Sequence, residues 1–302
     1  MASLICGSLA FDNIMTFEGR FADQIMPNQI HILNVSFLVP TLRRDFGGCA
    51  GNIAYALKLL GGDPLPMAVL GHDGGSYLQR MQELGISTRF VAQLDDIYTA
   101  QCMITTDLDN NQITAFHPGA MMQAHTNVVT ADCGARVGIV APDGRDAMLQ
   151  HAEQLHAAGI PFVFDPGQGL PMFNGEELRR FIALADWVAV NDYEGQMLSE
   201  RTGWDFATIS QQVRGLMVTL GAQGCALWER GEQAVVPGLQ AAATVDPTGC
   251  GDAWRGGLLW GLENGRSLRD CVALGNRMGA LKIAQRGPQN YALDFDPAAL
   301  WA

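Results

Sequence analysis

Several widespread catalytic signatures are missing from this 302-residue sequence. It contains no Gly-x-x-x-x-Gly-Lys-Ser/Thr, no Gly-x-Gly-x-x-Gly, no His-Glu-x-x-His and no Gly-x-Ser-x-Gly. P-loop nucleotidases, GxGxxG dinucleotide enzymes, zincins and nucleophile-elbow hydrolases are therefore set aside. Basic residues are scarce, 19 Lys+Arg against 31 Asp+Glu, and the net charge of −12 argues against a nucleic-acid or anionic-membrane partner. No apolar run is long enough to span a membrane. The opening Met1-Ala2-Ser3-Leu4-Ile5-Cys6-Gly7 lacks the basic region and cleavage site of a secretory leader. The seven cysteines are odd in number, widely spaced and mostly in apolar runs. They read as buried free thiols of a reducing compartment, not as a disulfide framework or zinc site, and the expected location is cytoplasmic.

What is present is a large apolar fraction, 48%, ample for one sizeable α/β domain or two smaller ones, and 35 glycines suited to tight βα turns. From about residue 137 onward, short apolar runs alternate with helical periods: Val137–Ala141, a helix through Leu149 and Leu155, Phe162–Phe164, Trp187–Val190. That rhythm predicts a parallel sheet with helices on both faces. Polar groups collect where the strands end, at Asp143, Asp165 and Asn191-Asp192-Tyr193-Glu194, the place where open α/β sheets bind ligands. Earlier in the chain, Ile30–Val39 is dense in apolar and β-branched residues without helical spacing and predicts strands. Cys102–Thr106 and Gln112–Phe116 flank Asp107-Leu108-Asp109-Asn110-Asn111, a hairpin signal.

The organising stretch is Asp246-Pro247-Thr248-Gly249-Cys250-Gly251-Asp252-Ala253-Trp254. Ala243-Thr244-Val245 before it reads as strand, and Arg255–Leu262 after it is apolar on a helical period. Gly249 and Gly251 let successive N–H groups converge at the helix start, a cradle for an anion. Asp252 in that cradle has two readings, a helix cap or a carboxylate that orients a hydroxyl and takes its proton.

Asp-x-Thr-Gly-x-Gly-Asp resembles the C-terminal signature of the ribokinase (PfkB) family of sugar and nucleoside kinases. Pro247 and Cys250 depart from its usual residues without touching the Gly-Gly-Asp pattern. Gly47-Gly48-Cys49-Ala50-Gly51-Asn52-Ile53-Ala54 is similar to the family's N-terminal signature, Asn191-x-x-Glu194 to its Asn-x-x-Glu, and Thr219-x-Gly221-x-x-Gly224 to its Thr-x-Gly-x-x-Gly. The likeness spans about residues 4 to 285.

It implies a ribokinase-like three-layer α/β fold with a central, mostly parallel sheet and a small β lid. The whole chain, 1–302, would be one kinase domain, its discontinuous lid drawn from about 13–42 and 97–120. It also implies roles. Asp252 is the base, and the Gly249, Cys250 and Gly251 amides form the anion hole. Asp12, Gly47, Gly48 and Asn52 receive the sugar, while Asn191, Thr219, Gly221, Gly224 and Asn276 face the nucleotide. Glu194 holds Mg²⁺ through water. ATP and Mg²⁺ are the implied cofactors, with a monovalent cation such as K⁺ as a further candidate, and a monomer or homodimer is expected. Phe116-His117-Pro118-Gly119-Ala120-Met121-Met122 together with the first glycine motif resembles the bacterial adenosine-kinase-like branch, with Phe116, Met121 and Met122 suited to a purine slot. The expected reaction is transfer of the ATP γ-phosphoryl to the 5′-hydroxyl of adenosine. A ribokinase- or fructokinase-type sugar kinase and a catalytically silent ligand-binding protein remain as alternatives. The tail from Arg286 onward carries no readable motif.

Overall fold

The apolar runs form the inner strands of one large sheet. The computed structural model describes residues 2–25, 32, 34–297 and 299. In chain order the strands are β1 (Ala2–Cys6), β2 (Ala10–Thr16), β3 (Thr41–Gly47), β4 (Asp63–Leu70), β5 (Phe90–Gln93), β6 (Ala100–Thr106) and β7 (Gln112–His117). There follow β8 (Ala135–Val140), β9 (Phe162–Phe164), β10 (Trp187–Asn191), β11 (Gly215–Thr219), β12 (Gly224–Glu229) and β13 (Glu232–Pro237). Nine of them form a sheet in the order β13-β12-β11-β10-β9-β8-β1-β4-β5. It is parallel from β11 to β5, and β12 and β13 add an antiparallel edge.

Helices cover both faces: α2 (Cys49–Leu59), α3 (Gly75–Glu83), α4 (Arg145–Ala157), α5 (Gly175–Leu184), α6 (Asp192–Thr202), α7 (Phe206–Gln212), α8 (Cys250–Glu263) and α9 (Leu268–Ile283), while the single turn α1 (Phe21–Gln24) lies by the β6–β7 turn. Successive strand residues point to opposite faces, so the core divides in two. Leu4, Val140, Phe162 and Phe164 pack with Met148 and Leu155 of α4, Phe181 of α5 and Leu198 of α6. Their neighbours Ile5, Ile139 and Val163 pack with Ile53 and Leu57 of α2, Leu258 of α8 and Val272 of α9. The fold is the expected three-layer α/β arrangement with a mostly parallel central sheet. All seven cysteines are free, four buried and three partly exposed. No helix among the described residues is long and apolar enough to cross a membrane.

A second sheet, in the order β3-β2-β6-β7, rises beside the first. Its register aligns Asp45, Asp12, Cys102 and Phe116 in one cross-strand row, so these side chains share a face. The opposite face carries Phe11 and Phe46, which contact each other and Tyr77 of α3 and anchor the small sheet to the body.

Two strand expectations fail. Within Ile30–Val39, residues 30, 31 and 33 lie outside the described residues, and 34–39 have no regular structure. The strand begins at Thr41, because Thr41 pairs with Thr16, the last residue of β2, and among the described residues 34–40 none has a strand partner. Ala243-Thr244-Val245 is not a strand either. The N–H of Val245 is spent on the Ile283 carbonyl at the end of α9 (2.8 Å), and Pro247 two residues on has no N–H for a ladder.

α8 lies between α2 and α9 at backbone contact. A Cβ at Gly256 would stand 2.5 Å from the Ala56 Cβ, and one at Gly257 2.9 Å from the Gly275 Cα. Gly257→Ala is therefore expected to lose about 1–3 kcal/mol despite alanine's better helix propensity, because two helix backbones must separate. Gly75→Ala, where an added Cβ meets nothing within 4 Å, should be neutral or gain about 0.5 kcal/mol. Urea unfolding of both variants checks this; shifts of the same sign and size would contradict the close-packing account.

Candidate active site

The turn leading into α8 is pinned at Asp246. Its N–H donates to the Ile283 carbonyl (3.1 Å), and its carboxylate accepts the Thr248 and Gly287 N–H groups, each at 2.9 Å. Gly249 then takes φ +78°, a left-handed angle that lets the chain swing into the helix without a side-chain penalty. No side chain caps α8, so its positive start is left for a ligand. One expected donor is withdrawn. The Cys250 N–H bonds the Pro247 carbonyl (3.1 Å), which leaves the exposed Gly251 and the rest of the first turn as the candidate anion cradle. Burial pushes the Cys250 thiol up to about 11, with Lys282 opposing, so it stands as a neutral thiol at pH 7.

Asp252 occupies the first turn of α8. Its Oδ2 accepts a hydrogen bond from Asn52 Nδ2 (2.8 Å). Gln289 Nε2 in turn donates to Asn52 Oδ1 (3.0 Å) and to the Tyr77 hydroxyl (2.8 Å), and Tyr77 donates to the Gly47 carbonyl (2.7 Å). Asn52 thus orients Asp252, and its oxygen and one N–H are already committed within the protein. Burial pushes the Asp252 carboxyl up to about 6; the charges of Asp165 and Asp12 add to this, while Asn52 and Arg255 oppose it. Asp12 on β2 is likewise raised to about 6, by burial and then by Asp45 and Asp246, against Arg43. Gly47 leaves room for it, since a Cβ there would fall 2.4 Å from Asp12 Oδ2. Gly48, at φ +84°, brings the start of α2 onto the Ser8 carbonyl, which a Cβ would approach to 2.5 Å.

Beneath Asp252 lies a buried ion pair. Arg255 Nε and Nη2 donate to the two oxygens of Asp165, at the end of β9, at 2.6 and 2.7 Å. Burial works against the Arg255 charge, but Asp165, and beyond it Glu194 and Asp252, hold its pKa above the usual value. Asn191 and Glu194 form a reciprocal capping box on α6: Asn191 Oδ1 accepts the Glu194 N–H (2.7 Å), and Glu194 Oε2 accepts the Asn191 N–H (2.9 Å). Burial, then the Asp165 charge, raises the Glu194 carboxyl, a site that a neighbouring cation would relieve.

A cavity of about 650 Å³ opens beside the turn. Thr219, Gly221 and Gly224 line one side; Cys250, Gly251, Trp254 and Asn276 line the other. The Asn276 amide is fully engaged, its nitrogen with the Val236 and Pro237 carbonyls and its oxygen with Trp254 Nε1, so it shapes the wall without a free donor. Phe116 is 53% exposed on β7, in the same row as Asp12. Met121 and Met122 sit on a different element, the 3₁₀ turn Gly119–Thr126, with the Met121 carbonyl against Gly144 before α4.

A model of the pfkB family carbohydrate kinases matches residues 19–294. The chain belongs to this family. Its members are phosphotransferases with alcohol groups as acceptors, and ATP is the family's phosphoryl donor. The nucleoside kinase of Methanocaldococcus jannaschii is 27% identical over 265 residues, 87% of each chain. The structure of Burkholderia thailandensis nucleoside kinase in complex with inosine is 55% identical and superposes with a TM-score of 0.87 over 96% of this chain and 93% of that one. The ADP-inosine complex of the same enzyme is 56% identical, with a TM-score of 0.84 over 96% and 92% of the two chains.

For this kinase, some residues at the site escape sequence reasoning. Arg255 had a signal, a lone charge inside an apolar helical run one turn after Asp252. Asp165 was marked only as a strand-end carboxylate. Gln289 and Tyr291 had none, yet the tail brings Gln289 to Asn52, and the Tyr291 carbonyl accepts the Tyr55 hydroxyl (2.6 Å).

The raised carboxyl of Asp252 has a stability consequence. A carboxyl that titrates near 6 when folded and near 3.8 when unfolded favours folding in its protonated state, so its contribution is lost as pH rises from about 4 to 6. Asp252→Asn should therefore be more stable than wild type at neutral pH, by about 1–2 kcal/mol after screening in the open cleft, and the gain should vanish near pH 4. Denaturant unfolding across this range checks the sign. A variant less stable than wild type at pH 7 would mean that the Asn52 hydrogen bond outweighs desolvation.

Proposed function

We propose that this kinase transfers the γ-phosphoryl of ATP to the 5′-hydroxyl of a purine nucleoside. The observation that carries the reading is Asp252, a partly desolvated carboxylate at the uncapped start of α8, placed beside a cavity large enough for a nucleotide and facing Asp12 of the small sheet. ATP would lie in that cavity with its phosphates toward Gly251 and the first turn of α8. Asp252 would orient the acceptor hydroxyl in line and take its proton late, as a loose transition state allows. The amides and the helix start would steady negative charge on the moving phosphoryl. Mg²⁺, when bound, would neutralise phosphate charge; Glu194, its carboxyl already destabilised as an anion by burial and Asp165, fits a cation held through water, with Asn191 fixing its orientation.

Asp12 would hold the ribose hydroxyls and Phe116 would cover the base as the small sheet closes. A nucleoside is supported over a free sugar by the nucleoside kinases among its relatives, and a purine base by the inosine complexes of one of them. Adenosine is the acceptor expected from the sequence. Inosine is the second reading, favoured by the inosine complexes of the 55% identical enzyme.

Burying a purine face should contribute about 4 kcal/mol, so kcat/KM for adenosine or inosine is expected to exceed that for ribose or fructose by roughly 10³-fold. Phe116→Ala should erode the nucleoside values about tenfold more than the ribose value. Asp252→Asn should lower turnover about 10²- to 10⁴-fold while both substrates still bind. ADP release measured against this panel decides among the readings. A preference for ribose or fructose would leave a sugar kinase, and wild-type turnover in Asp252→Asn would remove the base from its role.

A further inference from the structure

We propose that the Lys282 ammonium is a built-in cation that holds the anion-cradle turn in its working geometry, so that this kinase works without a bound monovalent cation at that turn. The proposal rests on the reading of that turn as the phosphoryl-binding element. Lys282 lies in the last turn of α9 and is fully buried, at 0% exposure. Its Nζ donates to the Asp246 carbonyl at 2.8 Å and to the Gln285 carbonyl at 3.1 Å.

A buried lysine is expensive unless something requires its charge. Here two carbonyls and nearby carboxylates partner it. The Asp246 and Gln285 carbonyls turn inward beside the end of α9, the negative end of its dipole. The Asp246 carboxylate and Asp45 favour the ammonium, while burial, the largest influence, lowers its pKa and Arg43 also opposes it. Inward-facing carbonyls next to a carboxylate are the donor set a monovalent metal ion would take. K⁺ does not fit beside this turn because the lysine head already occupies both carbonyls.

The position of this charge matters more than its strength. Asp246 is the first residue of the turn, and Pro247 leaves the peptide after it without an N–H. The carbonyl of that peptide therefore has one way to be fixed, through a partner on its own oxygen. Lys282 supplies the short one at 2.8 Å, and the Cys250 thiol donates weakly to the same oxygen at 3.8 Å. With the Ile283 carbonyl on its N–H and Thr248 and Gly287 on its carboxylate, every polar group of Asp246 is then held. Gly249 follows three residues later. A loosened Asp246 would let the left-handed angle at Gly249 and the first amides of α8 drift from the phosphates, where a displacement of about 1 Å can cost on the order of 10²-fold in rate.

The test compares turnover and melting temperature in K⁺, in NH₄⁺ and in tetramethylammonium, an ion too large for such a site, at equal ionic strength. Wild type is expected to give the same kcat within about twofold and the same Tm in all three salts. Lys282→Ala, which leaves a hole the size of the lysine head, should lose about tenfold or more in kcat with a smaller change in the KM for ATP. K⁺, NH₄⁺ or methylammonium should restore part of that loss and raise the variant's Tm, because the ion now binds the vacated carbonyls. Activation of wild type about tenfold or more by K⁺ would overturn the proposal even if the variant fails to fold. A folded Lys282→Ala enzyme with wild-type kcat, or one that no cation restores, would also overturn it. Absence of kinase activity in wild type under every salt would instead strike the functional reading on which the proposal rests.

Discussion

With glycine at 256 and 257 of α8 and at 275 of α9, α8 lies against α2 on one side and α9 on the other at distances where a methyl group would collide with Ala56, with the α9 backbone or with Trp254. The rest of the site depends on this contact. Because α2 touches α8, Asn52 reaches Asp252; because α9 touches α8, its C-terminal carbonyl and Lys282 reach Asp246. The same helices carry the core of one face of the sheet through Leu57, Leu258 and Val272. The geometry of the candidate site and the hydrophobic packing are therefore one structure, and a substitution that parts the helices would disturb both.

Around the start of α8 the protein collects more negative charge than water-filled surroundings would favour. Asp12, Asp165, Glu194 and Asp252 converge there, balanced by the buried Arg255 and by the helix start. Arg255 is bound bidentately to Asp165, so its charge is largely spoken for, and Asp252 is left as a carboxylate that gives up its proton near pH 6. An anionic phosphate chain joining this cluster needs compensation, which is the physical case for a divalent cation near Glu194. The arrangement sacrifices stability for readiness, as active sites commonly do.

Much of this was legible in the residues. The alternation of short apolar runs and helical periods laid out the three layers, and Gly249-x-Gly251-Asp252 marked the start of the helix on which the site is built. Local patterns also carried Asn191 and Glu194, whose spacing serves a capping box. What stayed hidden depends on contacts distant in sequence. The bond from Asn52 to Asp252 emerges only when α2 meets α8. Gln289 sits in a tail without pattern, and its role exists only through Asn52 and Tyr77. The segment Ala243–Val245 looks like a strand because its side chains suit one, but the Val245 N–H meets a helix end. The apolar run before Thr41 failed as strand where β2 ends, since apolar composition cannot supply a missing partner. The Cys250 amide, counted as a free donor by motif, is consumed by a local turn that composition does not reveal.

The central claim is that helix packing places Asp252 as a desolvated carboxylate at the open start of α8, tuned to act as a base. Its most direct test is a titration of the Asp252 carboxyl carbon by ¹³C NMR in the free protein, assigned by its disappearance in Asp252→Asn. The account predicts a midpoint of about 6. A midpoint near 4, the value of an ordinary solvated aspartate, would contradict it.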